Sequence, residues 1–270
     1  MRIMNENYFS TTETPVSKYH PESGVSFITV KSPALRQRGD ICFFQTSQAK
    51  GKRNVPLVLL LHGVYGSHWA WMFKGGAHKT AQRLVDEDRL PPLVVACPSD
   101  GLWGDGSGYV CHQGQDFEAW IVQDVIQAMI ENVDCVSKES KKYISGLSMG
   151  GFGALRLGAK YPNVFETFGG HSSITHFSQM SQFVEEPLVS YDCKEEDKDV
   201  LKQIITNKSI INRFRFDCGS EDQLIDYNRE LHRKLEALQI NHEYQENAGS
   251  HEWPYWEKHL ESMLLFFLGN

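Results

Sequence analysis

The pentapeptide Gly146-Leu147-Ser148-Met149-Gly150 restricts the fold of this chain more than any other stretch of its sequence. A short apolar strand at residues 142–145 precedes it, and a helical pattern at residues 149–161 follows almost without a connection. A strand-to-helix turn this sharp forces its central serine into strained backbone, and the flanking glycines leave room for it. We therefore expect the Ser148 hydroxyl to project over the carboxyl end of a sheet. The alternative is an ordinary glycine-rich turn in which a serine caps the helix.

Two continuous apolar runs, at residues 55–61 and 93–96, predict strands that are buried on both faces. Such strands belong to parallel sheets that helices cover on both sides. Strand and helix patterns then alternate along the rest of the chain. The alternating stretches 25–30 and 41–45 predict an antiparallel pair before the parallel part. The sequence thus predicts an α/β fold, a three-layer sandwich with a mostly parallel central sheet and antiparallel N-terminal strands.

Residues 1–270 are expected to form one domain, because neither an internal repeat nor a low-complexity linker interrupts them. Residues 171–209 are polar, irregular and acidic in part, and we expect them to form a cap or an excursion from this domain. The next elements are predicted as a strand at residues 210–216 and a helix at residues 224–238.

A serine hydroxyl becomes a good nucleophile only with a base and a carboxylate that orients the base. In an arrangement of this kind the acid and then the histidine follow the serine along the chain. His251 lies in a loop of small residues after the last predicted strand, from which an imidazole can reach back over the sheet. Three acidic residues follow the predicted strand 210–216, and we favour Asp222 over Asp217 and Glu221 as the acid. Each of them could instead cap the next helix.

The loop His62-Gly63-Val64-Tyr65-Gly66 ends the first buried strand, where hydrolases with this type of turn place one donor of the oxyanion hole. We expect the backbone N–H groups of Val64 and Met149 to be the two donors, because the helix that begins at Met149 adds the positive end of its dipole. A glycine turn without a catalytic part is the alternative.

Several other residues admit a functional interpretation. Trp69 and Trp103 lie in loops near the expected carboxyl edge and are candidates to bind substrate, although core packing is an equally good explanation. Cys111-His112 lies in a glycine-rich stretch without a sharp turn, which favours an incidental thiol over a Cys–His hydrolase. The sequence predicts no metal and no cofactor, because no suitably spaced ligand set or phosphate-binding loop is present.

Charge and composition bear on partners and location. The formal net charge is −7, from 27 Lys and Arg against 34 Asp and Glu, which argues against nucleic acid as a partner. No stretch approaches the ~20 apolar residues of a membrane span, and residues 1–15 lack the apolar region of a secretory signal. Six scattered cysteines fit reduced thiols, so we expect a cytoplasmic location. Whether the chain forms a homo-oligomer is not decided by its sequence.

Taken together, four segments resemble the putative esterase family of α/β-hydrolases, which includes esterase D, tributyrin esterases, and feruloyl and acetyl xylan esterases. These segments are residues 62–66, residues 146–155, residues 218–222 with Asn228-Arg229, and residues 249–253 with Trp256. The resemblance extends over most of the chain from Val25 to Leu268.

The resemblance implies a serine carboxylic ester hydrolase that uses Ser148 as nucleophile, Asp222 as acid and His251 as base, with a small-molecule ester, of short acyl chain, as its substrate. An acyltransferase that uses the same acyl-enzyme is the first alternative. A non-catalytic binding protein with this fold is the second, and it would have a broken triad, whereas all three members are present here.

Overall fold

The computed structural model describes residues 11–13 and 24–269, so the expectation drawn from residues 1–15 lies, apart from 11–13, outside the described residues. The strands are β1 (Thr11–Glu13), β2 (Val25–Ser32), β3 (Gln37–Gln45), β4 (Leu57–Leu61), β5 (Val94–Pro98), β6 (Cys111–His112), β7 (Gln115–Asp116), β8 (Lys142–Gly146), β9 (Thr167–His171), β10 (Arg213–Gly219) and β11 (Glu243–Asn247). The helices are α1 (Ala70–Phe73), α2 (Ala77–Asp86), α3 (Phe117–Ala119), α4 (Ile126–Asn132), α5 (Met149–Lys160), α6 (Val200–Asn207), α7 (Ile225–Ala237) and α8 (Trp253–Leu268).

One nine-stranded sheet organises the described residues, in the order β1-β2-β3-β5-β4-β8-β9-β10-β11, while β6 and β7 pair separately. The six strands from β5 to β11 in this order are parallel to one another. The strands β1, β2 and β3 pair antiparallel, and β3 also pairs antiparallel with β5. The predicted mostly parallel sheet with antiparallel N-terminal strands is therefore confirmed.

The central strand β4 shows why the fold has three layers. All five of its residues are buried. Leu57, Leu59 and Leu61 pack into the apolar cluster that contains buried residues of α4 and α5. Val58 and Leu60 face the opposite side and pack with buried residues of α2 and α8. Because side chains alternate along a strand, this short apolar run supplies both cores at once.

The bounds of β10 determine where the acidic residues that follow Arg213 lie. The predicted strand 210–216 is displaced by three residues, since β10 runs from Arg213 to Gly219. Ile210 is 56% exposed and stays outside the sheet, whereas Asp217 and Cys218 are fully buried within it. This correction matters for function, because Asp217 lies inside a strand and not in the loop after it.

Residues 171–209 are more regular than the sequence indicates. They contain three short 3-10 segments, Phe177–Gln182, Leu188–Ser190 and Glu195–Lys198, followed by α6. Val200 and Ile204 of α6 are buried one turn apart in the main core. Their spacing is the helical signal that the polar surroundings obscured.

The helices α3 and α4 are joined by a π-helical stretch, Trp120–Val125. Of the helices that the structure describes, none is both long and apolar enough to cross a membrane.

Candidate active site

The turn between β8 and α5 has the backbone strain that the sequence predicts. Ser148 adopts φ 55° and ψ −119°, and it is 2% exposed. A Cβ atom at Gly146 would lie closer than 3.0 Å to the carbonyl of Gly150, and one at Gly150 would clash in the same way with the carbonyl of Leu61. Only glycine fits at both positions, and this close packing holds Ser148 above the ends of β4 and β8.

Three side chains that are far apart in the sequence form one hydrogen-bonded chain here. The Nε2 atom of His251 lies 3.0 Å from Ser148 Oγ, and its Nδ1 atom lies 2.9 Å from Asp222 Oδ2. A carboxylate can only accept, so Nδ1 carries the proton and donates to Asp222. Nε2 is then left to accept the Ser148 proton, which is the tautomer that activates a serine.

Asp222 is held by its own loop as well as by His251. Its N–H donates to the carbonyl of Gly219 at 3.1 Å, and its Oδ1 accepts the N–H of Leu224 at 2.8 Å. Burial opposes ionisation of this carboxyl group, but the hydrogen bond and the charge of His251, with the Leu224 N–H, outweigh it and lower the pKa of Asp222. The acid is therefore ionised at neutral pH and able to orient the imidazole.

The other two acidic candidates lie elsewhere. Glu221 is exposed. Asp217 is fully buried and pairs with His171, whose Nδ1 lies 2.9 Å from Asp217 Oδ2. The Tyr255 hydroxyl donates to Asp217 Oδ1 at 2.9 Å. The structure thus brings Asp222 alone of the three to His251, and it contains a second, buried His–Asp pair that sequence reasoning missed.

The predicted oxyanion donors lie beside the serine. A Cβ atom at Gly63 would be 3.3 Å from Ser148 Cβ, so the loop after β4 packs directly against Ser148. Within residues 24–269, neither the N–H of Val64 nor that of Met149 has a hydrogen-bond acceptor. The next N–H in this loop, of Tyr65, is occupied by the carbonyl of Asp105 at 2.9 Å. Two unoccupied donors next to Ser148 are what an oxyanion hole requires.

The side chain of His62 holds this loop by hydrogen bonds, a role that the sequence did not reveal. Its Nε2 accepts the N–H of Asp100 at 3.0 Å, so its Nδ1 carries the proton and donates to the carbonyl of Gly63 at 2.7 Å. The Tyr109 hydroxyl donates to the His62 carbonyl at 2.9 Å. Both side chains are buried, and they fix the path of the backbone that carries the Val64 N–H.

A cavity of about 550 Å³ opens above Ser148 and His251. Trp69 lines it, as the sequence suggests, together with Tyr65 and Phe183. Trp103 is not among the lining residues, because its ring packs on His112 and Tyr191 at 4.5 and 4.7 Å between centroids. A larger groove of about 1130 Å³, near the amino ends of β4 and β8, has no histidine in its lining and is the weaker candidate for this chemistry.

Two aromatic rings contact the imidazole of His251, and one of them, Phe183, was not singled out in the sequence. Phe183 stacks on it at 5.4 Å and 30°, and Trp256 meets it edge-on at 5.0 Å and 89°. Phe183 belongs to the 171–209 segment, and no local pattern indicates that it returns to the site.

Other sequence candidates are not part of this site. Cys111 is exposed, whereas His112 is buried among aromatic rings. In the part of the chain that the structure describes, no group of His, Cys, Asp and Glu side chains is arranged to hold a metal ion.

Comparison with known proteins adds independent findings. The family model described as "Putative esterase" matches residues 32–267. The chain is similar to an acetyl esterase of Caldicellulosiruptor saccharolyticus, with 26% identity over 226 residues, 77% of this chain and 81% of that protein. Its structure is similar to that of a ferulic acid esterase, with a TM-score of 0.79 and 20% identity over 90% of this chain and 97% of the other. An S-formylglutathione hydrolase from Staphylococcus aureus gives a TM-score of 0.73 and 15% identity over 89% and 97%. The two solved structures share the α/β-hydrolase fold with this chain.

Proposed function

We propose that Ser148, Asp222 and His251 carry out the reaction of this chain. The chain belongs to the putative esterase family and is a carboxylic ester hydrolase. The observation that carries the proposal is the continuous hydrogen-bonded chain from Asp222 through His251 to Ser148. Ser148 lies on a strained turn and lines an open cavity, and no other serine–histidine contact of the described residues combines these features.

Each residue has a defined step. As Ser148 Oγ forms a bond to the acyl carbon, its proton passes to His251 Nε2, and the negative charge on the carbonyl oxygen is stabilised by the N–H groups of Val64 and Met149. Each donor of this kind contributes about 3 kcal/mol to the transition state. The imidazolium then gives its proton to the alcohol oxygen as the bond from that oxygen to the acyl carbon breaks. Water follows the same route in reverse to release the acid and restore Ser148.

Asp222 keeps the imidazole in the correct tautomer and stabilises its positive charge while the proton is on Nε2. The lowered pKa of Asp222, in which the contacts with His251 outweigh burial, supports this assignment.

Short-chain acyl esters are the substrates that we propose. The acetyl esterase to which the chain is similar supports this class. The rings of Tyr65, Trp69 and Trp253 in the cavity lining supply flat apolar walls beside the nucleophile. We also propose a cytoplasmic location, which is supported by six cysteines that are all free thiols.

The experiment compares p-nitrophenyl acetate, butyrate and octanoate as substrates of the wild type, Ser148→Ala and the control Ser181→Ala. Ser181 is exposed and lies outside the cavity. We expect Ser148→Ala to lose at least ~10³-fold in kcat and the control to lose nothing. An activity that survives in Ser148→Ala would contradict the triad, and a preference for octanoate would contradict the short-chain class. Release of the acyl group to an added alcohol in preference to water would indicate a transferase.

A further inference from the structure

Residues 183–186, which we call the strap, are tied to the loop that carries the oxyanion donor. The Tyr65 hydroxyl donates to the carbonyl of Phe183. Asp105 Oδ2 accepts the N–H of Glu185 at 2.8 Å, and the N–H of Asp105 donates to Glu186 Oε1 at 3.1 Å. The Tyr65 N–H in turn donates to the Asp105 carbonyl at 2.9 Å. Three hydrogen bonds therefore hold the strap to Tyr65 and Asp105, and the fourth joins Asp105 to the loop that carries the oxyanion donor.

The strap places one side chain against the catalytic base. Phe183 is half-buried, lines the cavity and stacks on the His251 imidazole. Trp256 closes another side of the same imidazole. The rings leave the Nε2 edge of His251 as the part that faces Ser148, at 3.0 Å.

The position of Phe183 beside His251 indicates which part of the ester, alcohol or acyl, lies next to its ring. His251 Nε2 must reach both Ser148 Oγ and the oxygen of the departing alcohol, since it moves a proton between them. A ring that covers the imidazole therefore borders the alcohol side of the ester. The acyl group extends from the carbonyl carbon, whose oxygen is stabilised by the Val64 and Met149 donors.

We propose that Phe183 is a specificity-determining residue that limits the size of the alcohol part of the ester. This inference rests on the proposed roles of Ser148 and His251. A bulky alcohol must displace the ring from the imidazole, and the ring cannot retreat with its backbone because Tyr65 and Asp105 hold the strap.

The test uses acetate esters of four primary alcohols of increasing bulk: methanol, butanol, benzyl alcohol and 1-naphthylmethanol. For the wild type, kcat/KM relative to methyl acetate should fall for the largest alcohol. Phe183→Ala should raise the relative kcat/KM of the naphthylmethyl ester by ~10-fold or more, the scale on which pockets discriminate small apolar groups. Tyr65→Phe keeps the ring but loses the hydroxyl that holds the strap, so its effect should have the same direction and be smaller.

Two controls define the outcome. Val189→Ala changes a residue of the same segment that is 87% exposed, and it should leave the alcohol series unchanged. The p-nitrophenyl acetate to octanoate series, with a constant alcohol, should keep its ratios in Phe183→Ala.

Two results would overturn the proposal: a shift in the acyl series with no change in the alcohol series, or no change in either. If Phe183→Ala does not fold, as judged by its circular dichroism spectrum, Phe183→Leu gives the same test with a smaller change in volume. Ser148→Ala is measured on every ester, because activity there would refute the proposed triad and not the role of Phe183.

Discussion

Replacing Asp222 with asparagine should abolish turnover in a folded protein, whereas the same replacement at Asp217 should weaken the fold and spare the chemistry. Both carboxylates contact the Nδ1 atom of a histidine at 2.9 Å, so the two pairs are nearly identical in geometry. They differ in what lies on the other side of the imidazole. His251 faces Ser148, whereas the Nε2 atom of His171 is buried without a hydrogen-bond partner among the described residues.

The magnitude for Asp222→Asn comes from the tautomer. An asparagine amide group that donates to Nδ1 leaves the proton on Nε2, where it can no longer accept the proton of Ser148. Such a change in a serine triad lowers kcat by about 10⁴-fold, or about 5 kcal/mol in the barrier. The side-chain oxygen of asparagine can still accept the N–H of Leu224, so the loop should keep its conformation and the protein most of its stability.

Asp217→Asn acts on a fully buried group that accepts hydrogen bonds from His171 and Tyr255. Burial raises the pKa of Asp217, but the charge and hydrogen bond of His171 dominate and lower it, so the native state holds an ionised carboxylate. Removing one partner of a buried pair costs about 3 kcal/mol or more in the free energy of unfolding. The folded fraction should retain kcat within ~10-fold, since the hydrogen bonds of the Asp217 carboxylate go to His171 and Tyr255 and not to Ser148, Asp222 or His251.

The assay combines kcat on p-nitrophenyl acetate with urea unfolding for the wild type and both variants. The concentration of folded protein is fixed by circular dichroism before each rate is measured. If Asp217→Asn loses ~10⁴-fold in kcat while its stability is unchanged, and Asp222→Asn keeps its activity, the assignment of the acid is wrong.

Three further outcomes are expected. Burial opposes ionisation of Glu118. The charge of Arg156 and the hydrogen bonds that the Glu118 carboxylate accepts outweigh burial and lower the pKa of Glu118 from 4.5 to about 2. A native pKa below the unfolded value stabilises the protein above about pH 4.5, so Glu118 should contribute a fall of up to ~3 kcal/mol in the free energy of unfolding between about pH 4.5 and 2. In urea titrations of Glu118→Gln, the total fall over this range should be smaller by that contribution. Gly150→Ala should lower kcat and reduce the free energy of unfolding by at least ~2 kcal/mol, because its new methyl group meets the carbonyl of Leu61. Unchanged stability in thermal unfolding would refute this close packing. Cys111 is the exposed cysteine, so a thiol reagent should modify one thiol in the native protein, without loss of activity, and six thiols in urea. A second thiol that reacts rapidly in the native protein would contradict the burial of the others.

The strained turn at Ser148 and the sheet could be predicted because their signals are local. The apolar run in β4 feeds two cores, so it must be a central strand. The glycines around Ser148 are required by backbone atoms within a few ångströms, and that requirement is visible in the sequence itself. The family match over residues 32–267 agrees with what these patterns indicate.

The proposed acid was harder to predict because its position depends on where β10 ends. Moving that strand by three residues carries Asp217 into the sheet, where it pairs with His171, and leaves Asp222 in the loop. Residues 213–217 pair with β9 and residues 215–219 pair with β11, so the two neighbouring strands together set the boundaries of β10.

The walls of the cavity depend on contacts that no local pattern encodes. Trp69 and Trp103 both follow buried strands and are equivalent candidates in the sequence, yet only Trp69 lines the cavity. Trp103 packs against Tyr191, which belongs to the same long connection as Phe183. The path of that connection therefore decides both that Trp103 is covered and that Phe183 reaches His251. The turn at Ser148 therefore follows from local sequence, whereas the cavity wall that Phe183 forms beside His251 follows from the tertiary structure.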